Sequence, residues 1–358
     1  MPGAASRLAE FDALRSLSAR IGRDPLLTQG AGGNTSLKVG SELWIKASGT
    51  WLAHALDREI MVPVAFEPLL GAVAAIDPAA EQAHRFTLES LNGSGLRPSI
   101  ETTVHALMPQ RVVLHVHCVD TIAFAVRTDC VAQVSPRLRG LNWAYVPYAR
   151  PGLPLALAIA EHVNRRPDVL ILANHGLVVA GETVAGAEAL LQDVKSRLRV
   201  EPRASGAGDL EALHAIAASA PQAIPYRLPA SEVAHGVALD PASLLLAARG
   251  SLYPDHVVFL GDGSVVAGPD EDVARVTWRV GSAPVSIIFP GKGVLMRADA
   301  PAGADAMARC LADVVARIPQ GAPVRVLTGQ ECEQLADWDA EKYRQDLARK
   351  AAGGRKTV

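Results

Sequence analysis

Apolar positions recur along the chain with two periods, and the switches between them mark out its elements. Leu8, Phe11, Leu14, Leu17 and Ile21 repeat at helical spacing with charged residues between them, which predicts an amphipathic opening helix. Ser36–Val39 and Glu42–Gly49, parted by the Gly40-Ser41 turn, read as a β-hairpin that ends in a second glycine turn. Arg111–His117 and Val169–His175 are short apolar runs closed by polar residues, which predicts two buried strands. A helical stretch is expected near Ala79–Ser90, a helix or turn at Asp120–Val126, and helices at Leu153–Asn164 and Glu182–Arg199. Arg97–Glu101 leads into a short helix that sets Glu101 and His105 at i and i+4, one above the other. Strands alternating with helices imply an α/β core.

Around Arg203–Gly208 the sequence becomes small and flexible, as at a domain edge. Beyond it His256–Leu260, Val285–Phe289 and Gly293–Arg297 predict strands, with helices near Ala302–Arg317 and Glu331–Arg349. The expected organisation is a first domain over 1–202, a linker over 203–230, a smaller C-terminal α/β domain over 231–350 and a disordered tail over 351–358.

A length of 358 residues fits two domains, and 49% hydrophobic with 20% charged residues is the composition of an ordinary globular protein. Lys plus Arg (35) nearly balance Asp plus Glu (37), and aromatics are only 4%. That balance argues against an electrostatic nucleic-acid binder or a polybasic membrane binder. No apolar run reaches the roughly 18–20 residues of a bilayer span, and Arg7, Glu10, Asp12 and Arg15 break up any signal-peptide core. A cytoplasmic location is the expectation. Cys118, Cys130, Cys310 and Cys332 are dispersed and form no C-x-x-C pair, so neither a disulfide framework nor a cysteine zinc site is indicated.

The candidate chemistry centres on His115 and His117. Side chains two apart on a strand share a face, so both imidazoles can reach one ion. His175, at the end of a second apolar strand, offers a third nitrogen, and Glu101 lies a short way upstream. Three imidazoles suit zinc or another divalent metal and leave an open coordination position, with Glu101 as a general acid/base beside it. Neither of the other HxH settings fits: a cupin needs an all-β context, and an amidohydrolase barrel needs further histidines, a lysine and an aspartate. Thr28–Ser36 is glycine-rich, but its spacing and surroundings are not those of a dinucleotide loop. Together with the turn near Ser48 it could form backbone nests for phosphate or carboxylate, with Asn34, Ser48 and Ser99 adding donors. Lys46 reads equally as an anion-binding charge or a solvated strand-end lysine. His105 reads as a packed or surface histidine, and His54, His84, His162, His214, His235 and His256 as structural.

In order along the chain stand Gly33-Asn34-Thr35-Ser36, Lys46-Ala47-Ser48-Gly49, Pro98-Ser99-Ile100-Glu101 with His105, Leu114-His115-Val116-His117, Pro147-Tyr148-Ala149 and Ala173-Asn174-His175-Gly176. This ordered set resembles the class II aldolase/adducin head family, typified by fuculose-phosphate and rhamnulose-phosphate aldolases, over roughly Leu8 to Arg199. The resemblance implies a class II aldolase-like three-layer α/β/α core. It implies zinc ligation by His115, His117 and His175, with Glu101 as acid/base. Asn34, Ser48, Gly49 and Ser99 then fall on phosphate-holding positions, and Ile100 stands where such aldolases often carry a second phosphate-binding serine. Tyr148 looks like the tyrosine that reaches a neighbouring subunit's site and protonates the leaving aldehyde, implying a homo-oligomer, expected as a tetramer. The implied activity is cleavage of a C–C bond in a small sugar or sugar phosphate through a metal-stabilised enediolate. The same site type also serves epimerases, dehydratases and decarboxylases, and the adducin branch keeps the fold for non-catalytic contacts. Leu252–His256 and Pro290–Gly293 resemble the region after the aldolase unit in bacterial fusions with a short-chain dehydrogenase, although no nicotinamide cofactor is implied here.

Overall fold

The computed structural model describes residues 4–337. They form two compact units, one built from residues up to Ala125 with Cys130–Arg199, the other from Val126–Asp129 with residues from Val200 onward.

The first unit is built on a seven-stranded sheet. Its strands are β1 (Asn34–Val39), β2 (Glu42–Lys46), β3 (Met61–Ala65), β4 (Val112–Val116), β5 (Trp143–Val146), β6 (Val169–Leu172) and β7 (Gly176–Gly181), in the order β3-β2-β1-β4-β7-β6-β5. Every neighbouring pair is antiparallel except β5 with β6. Central strands covered on both faces bury both sets of side chains, which is why β6, and β4 apart from His115, read as apolar runs. On one face Val113, Leu170, Leu172, Val178 and Ala180 pack against Val104, Met108, Leu155 and Ile159 from helices Thr102–Leu107 and Leu153–Ala160 and their flanks. An adjoining cluster sets Leu43, Ile45 and Val64 against Leu69, Val73, Ala106 and Ala156. Helices Ala4–Arg23 and Val184–Arg197 bury Leu14, Leu17, Leu191 and Val194 and complete the layered α/β arrangement.

Two expectations change here, and two strands are new. Ala79–Ser90 forms no α-helix but part of a run of three short 3₁₀ turns, Pro78–Glu81, Ala83–Phe86 and Glu89–Leu91. The Val169–His175 strand stops at Leu172; Asn174 takes a left-handed φ of 49°, and the chain reverses into β7. The edge strands β3 and β5 have no counterpart in the periodicity, being short and only partly alternating.

The second unit holds a four-stranded sheet of β8 (Tyr226–Arg227), β9 (Val265–Val266), β10 (Ser286–Phe289) and β11 (Gly293–Arg297), in the order β8-β11-β10-β9. Its core joins Leu213, Tyr226, Val273, Val276, Ile287, Phe289 and Leu295. Residues 203–230, expected as a linker, instead carry helix Leu210–Ala218 and strand β8, each placing a side chain in that core. His256–Leu260 is helical rather than extended: a five-residue apolar run fits either state, and Pro254 at the first turn of helix Pro254–Leu260 favours the helix. Helix Gly329–Ala336 begins with a capping box between Thr328 and Glu331. The remainder of the helix expected to Arg349, and the 351–358 tail, lie outside the described residues. No helix among the described residues is long and apolar enough to cross a membrane.

Candidate metal centre

Strand register brings the site together. His115 on β4 lies opposite Asn34 on β1 and Val178 on β7, so these three side chains share one face of the sheet. His117 lies one residue beyond β4 and keeps to the same side. The tight turn between β6 and β7 carries His175, and Gly176 follows it. A Cβ on Gly176 would lie 2.7 Å from the Val116 carbonyl oxygen, 3.3 Å from His117 Cδ2 and 3.4 Å from His115 Cε1. Only glycine lets this turn approach the two rings so closely.

The three imidazoles are buried, with candidate ligand atoms all within 4.8 Å of one another. His115 Nε2 and His117 Nε2 stand 3.2 Å apart. Glu101 closes the group, with Oε2 at 3.4 Å from His115 Nε2 and Oε1 at 3.2 Å from His175 Nε2. His115 Nδ1–H donates to the Leu177 carbonyl at 3.1 Å, which fixes the tautomer and leaves the Nε2 lone pair aimed at the centre. The donor set fits a divalent metal: tetrahedral zinc at ordinary Zn–N lengths needs nitrogens roughly 3.4 Å apart. His175 Nδ1, although buried, has no hydrogen-bond partner, a further polar atom of this cluster that the protein itself does not satisfy.

The electrostatics suit the same occupant. Burial drives His115 down to about 3, against the pull of the Glu101 carboxylate. Burial pushes Glu101 upward, but the surrounding imidazoles outweigh it and hold the carboxyl well below the usual range. A neutral His115 beside an ionised carboxylate is the protonation state that metal binding requires.

The anion-binding candidates adjoin Glu101. Asn34 Nδ2 donates to Glu101 Oε2 at 2.9 Å and to Ser99 Oγ at 3.1 Å, and the Glu101 N–H donates to Ser99 Oγ at 3.2 Å. The turn carrying Ser48 and Gly49 pairs with this segment: Ser48 N–H donates to the Arg97 carbonyl at 2.9 Å, and Ser99 N–H to the Lys46 carbonyl at 3.1 Å. Gly49 holds a φ of 74°, which the turn requires. Lys46 is not a solvated strand-end lysine. It is 2% exposed, and its ammonium donates to the Ala31 carbonyl at 2.7 Å and the Thr50 carbonyl at 2.8 Å, tying the two glycine-bearing turns together. Tyr148 lies two residues beyond β5, partly exposed, on the loop that leads to helix Leu153–Ala160.

Three neighbours of the site were given no role in it by the sequence reading. Gly176 carried a signal only as part of a turn. Gln29 donates through Nε2 to the His117 carbonyl at 3.3 Å, a contact across 88 residues that no local pattern shows. His105 is fully buried behind Asn34, and its i+4 spacing from Glu101 was the one available hint.

The sequence profile of the class II aldolase and adducin N-terminal domain family matches residues 16–201. An uncharacterized oxidoreductase of Bacillus subtilis, YuxG, is 33% identical over 181 residues, covering 46% of this chain and 25% of that protein. The chain thus spans about a quarter of the length of this curated relative. Among solved structures, the N-terminal class II aldolase domain of a conserved Thermoplasma acidophilum protein is 28% identical, with a TM-score of 0.47, over 53% of this chain and 92% of that one. L-fuculose-1-phosphate aldolase from Thermus thermophilus is 16% identical, with a TM-score of 0.37, over 60% of this chain and 100% of that one.

Proposed function

The chain belongs to the class II aldolase and adducin N-terminal domain family, and on that premise we propose that it is a metal-dependent carbon–carbon lyase acting on a small sugar or sugar phosphate. The observation that carries this reading is the cluster of buried side chains in which His115, His117 and His175 surround the Glu101 carboxylate. An adducin-like scaffold has no use for a carboxylate held at 3.2–3.4 Å from two imidazoles.

In this reading His115, His117 and His175 hold the cation, zinc being the simplest choice. When bound, it supplies Lewis acidity toward the substrate's carbonyl and hydroxyl oxygens. The chain's own residues do the rest. Aldol cleavage removes the proton of the β-hydroxyl, turns that carbon into an aldehyde and leaves the C–C electron pair on the carbon next to the carbonyl, which then takes up a proton. Glu101 is placed to carry protons in these steps, and its ionised state makes it a base at the outset. Ser48, Gly49 and Ser99 bind the substrate's anionic or hydroxylated end, and Asn34, whose two N–H bonds go to Glu101 and Ser99, borders that end and orients the carboxylate. Tyr148 is assigned to the β-hydroxyl oxygen in the site of a neighbouring copy, accepting the β-hydroxyl proton as the aldehyde forms and donating it back in the condensing direction, so a homo-oligomer is part of the proposal.

The test is aldehyde release from a panel of ketoses, ketose phosphates and sugar acids, with metal per chain measured on the same samples. Glu101→Gln is expected to keep its metal and to lose turnover by roughly 100-fold or more. A metal-loaded wild-type protein that releases no aldehyde from any of them would overturn the lyase reading.

A further inference from the structure

His105 has no role in the reaction just described, yet it is 0% exposed and joined to the site by hydrogen bonds. It sits on helix Thr102–Leu107, one turn beyond Glu101, facing β1. Its Nδ1 lies 2.7 Å from Ser36 Oγ, and its Nε2 meets Asn34 Oδ1. Asn34 then passes the connection on, through Nδ2, to Ser99 and Glu101. Ser36 and Asn34 are two residues apart on β1 and share a face, and Asn34 is the cross-strand partner of His115. The chain Ser36–His105–Asn34–Glu101 is therefore built into strand register.

Chemistry at the Glu101 end fixes the direction of every bond. An ionised carboxylate only accepts, so Asn34 must turn its NH₂ toward Glu101. Its carbonyl oxygen is left facing His105, which must then bring a proton on Nε2. His105 Nδ1 becomes an acceptor, filled by the Ser36 hydroxyl. A neutral imidazole satisfies both ends, accepting from the Ser36 hydroxyl at Nδ1 and donating to Asn34 from Nε2. The titratable groups around His105 are His115, Glu101 and Lys38; burial, with lesser pushes from His115 and Lys38, takes its imidazole down to about 3. Lys38, on the same face of β1, is itself tied to the Met108 carbonyl just past the helix end.

We propose that His105 is a positioning residue that locks the Asn34 amide in the one orientation that points both of its N–H bonds at Glu101 and Ser99. The consequence for catalysis rests on Glu101 being the proton carrier of the reaction proposed above. A side-chain amide has two orientations of nearly equal shape, and the flipped one sets an oxygen against the Glu101 carboxylate. Without a donor at position 105, Asn34 Oδ1 is a buried acceptor with no partner in this chain of bonds, a state relieved by rotating the amide away from Glu101.

The experiment compares wild type with His105→Leu and His105→Gln. All three keep the metal-binding histidines, so equal metal per chain is the control. His105→Leu is expected to lower kcat by about 10- to 100-fold with KM changed less than about 3-fold. His105→Gln, whose amide can offer an N–H toward Asn34, is expected to recover most of that loss. An equal loss in both variants would reduce His105 to packing and overturn the proposal.

A second readout needs no turnover. In ¹⁵N-histidine-labelled protein, the ring assigned through its absence in His105→Leu should be protonated at Nε2 and bare at Nδ1 from pH 5 to 8. A cation or the opposite tautomer would overturn the proposal whether or not the chain cleaves sugars. Conversely, a wild type without lyase activity would remove the proposed reaction while the NMR result still decided the bond pattern.

Discussion

Gly176→Ala offers the sharpest test of how the metal centre is assembled. The added methyl points at groups with little freedom: the Val116 carbonyl oxygen at 2.7 Å is backbone of the central strand, and the His117 and His115 rings lie at 3.3 and 3.4 Å. Ordinary carbon–oxygen contact begins at roughly 3.2 Å, so the turn must retreat by about 0.5 Å, and His175, its neighbour in the chain, retreats with it. Gly176 is not among the glycines with positive φ, so alanine adds crowding without backbone strain. Overpacking of this kind costs about 1–3 kcal/mol. Expressed in metal affinity, which depends on all three nitrogens meeting, that is a loss of about 5- to 150-fold. The assay is competition for zinc against a chromophoric chelator, alongside the thermal midpoint of the metal-free protein. Wild-type zinc affinity with an unchanged midpoint in Gly176→Ala would refute the crowded-turn reasoning.

Other expectations reach further from the centre. His115→Ala and His175→Ala are each expected to reduce bound metal, read by elemental analysis, from about one per chain to less than a tenth of that; full retention in either would remove that residue from the ligand set. Lys46→Met should lower stability by about 1–3 kcal/mol in urea unfolding, because two carbonyls lose a buried charged donor; a changed KM at unchanged stability would instead make Lys46 a substrate-binding charge. In the second unit, burial holds His256 at about 4, below the ordinary value of 6.5, despite the opposing pull of Asp262. The unfolded chain therefore binds this proton first, so the stability it contributes is whole above pH 6.5 and is lost as pH falls toward 4, on the order of 3 kcal/mol. Urea unfolding across that window should show a shallower acid loss in His256→Asn, and an identical slope would count against the assignment.

His115 and His117 could be placed because Val112–Val116 is rich in β-branched residues, which favours a strand, and residues two apart on a strand share a side. Gly293–Arg297 was legible as well, set off by the turn before it. His256–Leu260 was not, since five apolar residues suit a buried strand and a short buried helix equally, and Pro254 decides between them only once the helix start is known. Residues 203–230 misled because their small side chains suggest flexibility, whereas Leu213 and Tyr226 anchor them in a core formed largely by residues far along the chain. Lys46 was misread because its partners are backbone carbonyls, which no side-chain pattern announces. His105 was read as packed, which it is; what the sequence did not show is that β1 lies against its helix and supplies both hydrogen-bond partners.

The pairing of Asn34 with His115, and of His115 with Val178, spans the first unit from its second element almost to its last. A slip of one residue in either ladder would turn Asn34 or Val178 to the other side of the sheet. Ligand geometry is thus a property of the completed sheet, which no isolated hairpin of this chain can possess. Bound metal can therefore serve as a probe of conformational quality: in a damaged, aged or redesigned sample, the ion should leave as soon as one ladder loses its alignment, while the helical signal is still intact.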